Sequence, residues 1–134
     1  MDFEKIIAET GVKVVTGDLP RGWWGAYDWR DHRIVLRPRL GVVQYDSTLA
    51  HELGHAWHMH RGTTPRQERE ASVWAARRLI RASDFIDALR VSEHRTGIAQ
   101  ILGVMPSDVD TYISTLTPNE ILFVSNLLRK EEVC

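Results

Sequence analysis

The sequence predicts an α+β fold: a small antiparallel sheet early in the chain, packed on a long helix and on the helix after it, with a helical C-terminal part. Two patterns carry this expectation. Residues 12–36 hold short β-branched and aromatic runs separated by Gly, Pro and Asp turns. From residue 46 onward apolar residues recur at helical spacing, and Thr-Pro, Gly and Ser signals mark the breaks between segments. With 134 residues and a 43% apolar share, the chain can bury a real core without disulfide staples.

Residues 3–10 form the first expected helix. Gly11 closes it, since glycine takes the left-handed cap conformation at no steric cost. Val12 to Thr16 is a β-branched run suited to a strand, broken by Gly17-Asp18-Leu19-Pro20. Gly22 to Trp29 and His32 to Leu36 read as two strands joined by a turn at Arg30-Asp31, completing the antiparallel sheet. Pro38 cannot donate to a ladder and ends the last strand.

A long helix is expected to start near Asp46 or Ser47, either of which can cap it, and to end at Gly62. Thr64-Pro65-Arg66-Gln67 starts the next, with Thr as cap, Pro at the first helical position and Gln where a capping box needs it. That helix runs to about Arg81, and Ser83 caps a shorter one through Arg90. Residues 98–104 give a helix and a tight turn. Pro106 to Thr115 is a second helix, and Thr117-Pro118-Asn119-Glu120 caps the last. Residues 1–82 thus read as one unit and residues 83–134 as a helical tail.

The chemistry centres on His51-Glu52-Leu53-Gly54-His55, which reads H-E-x-x-H. Histidines four residues apart share one helix face and can offer two imidazole nitrogens to one ion. Glu52 is turned about 100° from His51, beside that face, where a general base for a metal-activated water belongs. Over residues 47–58, Leu49, Ala50, Leu53, Ala56 and Trp57 gather on one arc, opposite His51 and His55. One face is expected in the core and the other in a cleft.

A catalytic zinc site usually has three protein ligands. His58 lies about 10 Å from His51 along the helix axis, too far to close the same tetrahedron. It and His60 read as supporting or surface residues. On the next helix, Glu68 shares a face with Ala71, Ser72, Ala75 and Leu79, whereas Glu70 falls with Val73, Arg77 and Arg81. An inward carboxylate needs a partner, and a metal supplies one, so Glu68 is the expected ligand and Glu70 the alternative.

The stretches Thr48-Leu49-Ala50-His51-Glu52-Leu53-Gly54-His55 and Glu68-Arg69-Glu70-Ala71-Ser72-Val73-Trp74-Ala75-Ala76 resemble the ImmA/IrrE family of metallopeptidases. The resemblance extends over the preceding strands and the helical tail. It implies a zincin-like core in which His51, His55 and Glu68 hold Zn2+, with Mn2+ the other ion to consider, and Glu52 acts as general base. Where the family typically has Asn or Asp to orient a histidine, this chain has Ser72. The implied activity is that of an endopeptidase that cuts a helix-turn-helix repressor of a phage or mobile element. For the oxyanion, Tyr27, Tyr45, His94 and Tyr112 all stand open. The strand around Gly25-Ala26-Tyr27 is either an edge that receives substrate or an ordinary sheet strand.

Two rival readings come from other classes. Residues 98–113 resemble a helix-turn-helix, but the would-be recognition helix carries Asp108 and Asp110 and no basic residue, and the formal net charge is −1. Direct nucleic-acid binding is therefore not expected. The other rival is a zincin-fold binding module without proteolysis, in an immunity or toxin–antitoxin pair; the intact Glu52 argues against it. No apolar run approaches membrane-spanning length, the first residues are charged, and Cys134 is the one cysteine. These point to a soluble cytoplasmic protein, with the terminal thiol incidental.

Overall fold

The computed structural model describes residues 1–132, so Cys134 lies outside the described residues. The order is α1 (Phe3–Thr10), β1 (Lys13–Thr16), β2 (Gly25–Asp28), β3 (Arg33–Leu36), α2 (Val42–His58), α3 (Pro65–Leu79), α4 (Ala82–Val91), α5 (Arg95–Leu102), α6 (Pro106–Thr115) and α7 (Pro118–Glu132). The fold is α+β, as expected. No helix among the described residues is long and apolar enough to cross a membrane.

One feature of the sheet differs from expectation. β2 and β3 form the antiparallel hairpin, but β1 runs parallel to β3, so the sheet is mixed, in the order β1-β3-β2. The reason lies in β3 and in the segment between β1 and β2. β3 carries the most deeply buried side chains of the sheet, Ile34 and Leu36, and takes the centre. Residues 17–24 carry the chain past it, so that β2 pairs on its far edge. The Arg37 guanidinium pins that excursion, donating from Nε to the Trp23 carbonyl (2.6 Å) and from Nη2 to that of Pro20 (2.7 Å).

α2 begins at Val42, four residues before Asp46. Gly41 is its N-cap, and Gln44 Oε1 accepts from the Gly41 amide at 3.2 Å. Asp46 and Ser47 therefore lie within the helix rather than at its start, and the Ser47 hydroxyl donates to Asp108 of α6 at 2.8 Å. The helix ends at His58 rather than at Gly62, because Met59 takes the left-handed conformation, φ 51°. α3 starts with the expected Thr64/Gln67 capping box and stops at Leu79, two residues short of Arg81. α4 is preceded by Arg81 as cap, which puts Ser83 inside its first turn.

Two apolar clusters hold these elements. The first packs Ile34, Leu36, Leu49, Leu53 and Trp74 between the sheet, α2 and α3. The second gathers Ile80, Phe85, Ile98, Val109 and Tyr112. α3 serves both, Trp74 and Ala75 facing one cluster and Ala76 the other. Trp57, expected in the core arc of α2, is instead 47% exposed and lies against Trp74, with ring centroids 5.9 Å apart. It comes one residue before the helix ends, where the chain leaves the core.

The α2–α3 approach depends on Gly54. A Cβ there would stand 2.7 Å from the Ala71 carbonyl oxygen and 2.9 Å from its Cα, both backbone atoms that cannot step aside. Gly54→Ala is therefore expected to part the two helices and to destabilise the protein by about 1–3 kcal/mol, the usual cost of overpacking. Denaturant unfolding measures it; an unchanged midpoint would show that the contact is not tight.

Candidate metal centre

α2 presents His51 and His55 one turn apart, with ring centroids separated by 4.9 Å and planes at 83°. The first turn of α3 brings Glu68 to them. Its Oε2 lies 2.8 Å from His51 Nε2 and its Oε1 3.1 Å from His55 Nε2. One ligand atom from each of the three residues falls within 4.8 Å of the others. Two imidazoles and one carboxylate converging in this way match the donors a divalent cation needs. Glu70 points elsewhere: its Oε2 is 3.2 Å from His60 Nε2, and its Oε1 accepts from Arg66 Nε at 3.1 Å.

Electrostatics suit the same use. Burial holds the His55 pKa down at about 4, helped by the neighbouring His51, so its ring is neutral at ordinary pH and keeps a lone pair to offer. Glu52, 8% exposed, is pushed up to about 8, first by burial and then by the charge of Glu68. A carboxyl in that range exchanges protons near neutrality, as a general base must.

The ring nitrogens on the far side are also engaged. Ser72 Oγ lies 3.2 Å from His51 Nδ1, so the short hydroxyl does reach the histidine. His55 Nδ1 lies 2.9 Å from His60 Nδ1. His60 is 8% exposed and stacks on His58, centroids 4.9 Å apart and planes 9° from parallel. Sequence reasoning left His60 a supporting or surface residue because it carried the helix through to Gly62. The reversal at Met59 turns His60 back under His55, and the four histidines His51, His55, His58 and His60 were the available signal.

Residues 8–110 match the sequence family described as peptidase M78, the IrrE N-terminal-like domain. The chain belongs to this family. Peptidase M78 is a family of zincin-type metallopeptidases, and the match runs from α1 into α6, taking in the H-E-x-x-H helix and Glu68. Neither the comparison with curated proteins nor that with solved structures yields a match.

In this M78 domain the cluster sits between two cavities, and Glu52 lines both. The larger, about 600 Å³, is walled by Trp23, Trp29, Tyr27, His60 and Arg61. The smaller, about 330 Å³, is lined by Ser47, Thr48, Ser72, Met105 and Asp108, so α6 contributes part of its wall. Of the four side chains considered for an oxyanion, Tyr27 lines the larger cavity, with its hydroxyl 2.7 Å from His32 Nδ1. Tyr112 is buried in the second cluster, Tyr45 is 40% exposed, and His94 precedes α5 as its cap. β2, whose Gly25, Ala26 and Tyr27 border the same cavity, is an edge strand of the sheet.

Proposed function

We propose that the protein is a zinc-dependent endopeptidase whose substrate is a helix-turn-helix repressor of a phage or mobile element. The observation that carries the peptidase reading is the convergence of His51, His55 and Glu68 beside a buried Glu52 in an open cleft. His51 and His55 through Nε2, and Glu68 through its carboxylate, would hold the ion. Bound there, a divalent cation supplies Lewis-acid polarisation of a carbonyl and lowers the pKa of water, with zinc favoured by the donor set and manganese the other ion to consider.

The chain's own groups do the rest. Glu52 takes one proton from the attacking water as its oxygen bonds to the peptide carbon. It then gives that proton to the amide nitrogen as the C–N bond breaks. β2 offers an edge to which an extended polypeptide can add as a further strand, which sets the scissile carbonyl beside Glu52. Tyr27 borders the cleft, but its hydroxyl donates to His32 Nδ1, whose Nε2 proton goes to the Thr10 carbonyl, so it would have to leave His32 to meet the oxyanion. The repressor assignment rests on the resemblance to ImmA/IrrE proteins, and the membership in M78 supports the peptidase part of the reading.

Co-incubation with the repressor encoded beside the gene, with zinc or manganese added, tests this. Two fragments from the wild type and none from Glu52→Gln are expected. An intact repressor that co-purifies with the protein would replace proteolysis with the binding-module reading.

A further inference from the structure

We infer that His60 and Glu70 are a positioning pair that sets the tautomer of His55, and so fixes which of its nitrogens faces the ion; this rests on the metal-centre reading above. The argument follows hydrogen-bond direction. Glu70 Oε1 accepts from Arg66 Nε at 3.1 Å, and its Oε2 lies 3.2 Å from His60 Nε2. An ionised carboxylate can only accept, so His60 offers it an Nε2 proton. In the singly protonated ring that the inference requires, that proton occupies Nε2 and Nδ1 keeps a lone pair. That lone pair lies 2.9 Å from His55 Nδ1, which must then be the donor. His55 Nε2 is left without a proton, and it is this nitrogen that stands 3.1 Å from Glu68 Oε1 in the ligand cluster.

The surroundings hold the pair in place. His60 is buried, stacked on His58, and held by its own amide, which donates to the His55 carbonyl at 3.0 Å. His58 is itself fixed, with Nδ1 2.7 Å from the Gly54 carbonyl oxygen. His51 is different. Among the described residues its far nitrogen meets the Ser72 hydroxyl, which can donate or accept and so selects no tautomer. Of the two histidine ligands, His55 is thus the one preset by the fold. Such partners typically change metal affinity 10–100-fold.

The test uses the full chain and zinc ion alone. Zinc affinity, read by competition with a chromogenic chelator, is expected to fall about 10–100-fold in His60→Leu. His60→Asn, whose amide oxygen can accept in place of Nδ1, should recover most of that loss. In the metal-free wild type, 15N resonances of labelled histidine should show His55 already protonated at Nδ1 and His60 at Nε2, a preference that neither zinc ligation nor mere structural support would produce. If zinc binds in a His51-dependent way but His60 carries its proton on Nδ1, or His60→Leu binds as tightly as wild type, the inference alone is overturned. If the wild type binds no zinc, or His51→Ala binds it equally well, the metal-centre reading fails and this inference with it.

Discussion

Glu52→Gln is expected to lower peptide hydrolysis about 10²- to 10⁴-fold, the usual contribution of a positioned general base, while one metal ion per chain stays bound. Glutamine keeps the shape and loses the proton acceptor, and the ligand atoms come from other residues. The same substitution carries a second signature, in stability. Glu52 is raised to about 8 in the folded chain against an unfolded value near 4.5. Its protonated form is the one the fold accepts. The stability it lends metal-free protein is therefore complete below about pH 4.5 and lost as the pH rises through about 8, a change on the order of 4 kcal/mol. Denaturant unfolding in the presence of a chelator, at pH 5 and at pH 9, should show wild type losing that stability relative to Glu52→Gln. Parallel pH profiles would mean that the carboxyl is solvated. A variant that still cuts would remove Glu52 from the role of base.

Glu68→Ala is expected to cost more than about 100-fold in zinc affinity, beyond what removal of a supporting partner costs, because it leaves two histidines where a catalytic site has three protein ligands. The effect should be visible both in chelator competition and in activity at limiting metal. Glu70→Ala should keep one zinc per chain, weakened only through His60. Removing Glu68 also removes the charge that adds to burial in raising Glu52, so the pH dependence of metal-free stability should shift towards acid in the same variant. Equal affinities for Glu68→Ala and wild type would take Glu68 out of the ligand set.

Much of this was legible in residues alone, for identifiable reasons. The H-E-x-x-H spacing is a statement about one helix face, and Glu68 was separable from Glu70 because its neighbours Ala71, Ser72 and Ala75 marked the inward stripe. Helix ends with side-chain chemistry, such as Thr64-Pro65-Arg66-Gln67, were readable too. What sequence could not show depended on backbone conformation or long-range pairing. A left-handed methionine carries no signature, so the end of α2 was misplaced, and nothing in the residues could decide between a supporting and a surface role for His60. A glycine cap backed by Gln44 is a weak signal beside Asp46 and Ser47, which compete as caps in any local reading. The parallel pairing of β1 with β3 is decided by which strand buries the most, and neighbours in sequence do not reveal that.

The two cavities that meet at Glu52 differ in character, and under the proposed reading this has a consequence for what is cut. On one side a polypeptide meets two indoles and the Arg61 guanidinium; on the other, the single indole of Trp24 among several hydroxyls and the Asp108 carboxylate. The cleft thus has a polarity, like a keyed socket. Residues before and after the broken bond would not be interchangeable, and a reversed copy of a good substrate sequence would be a poor one.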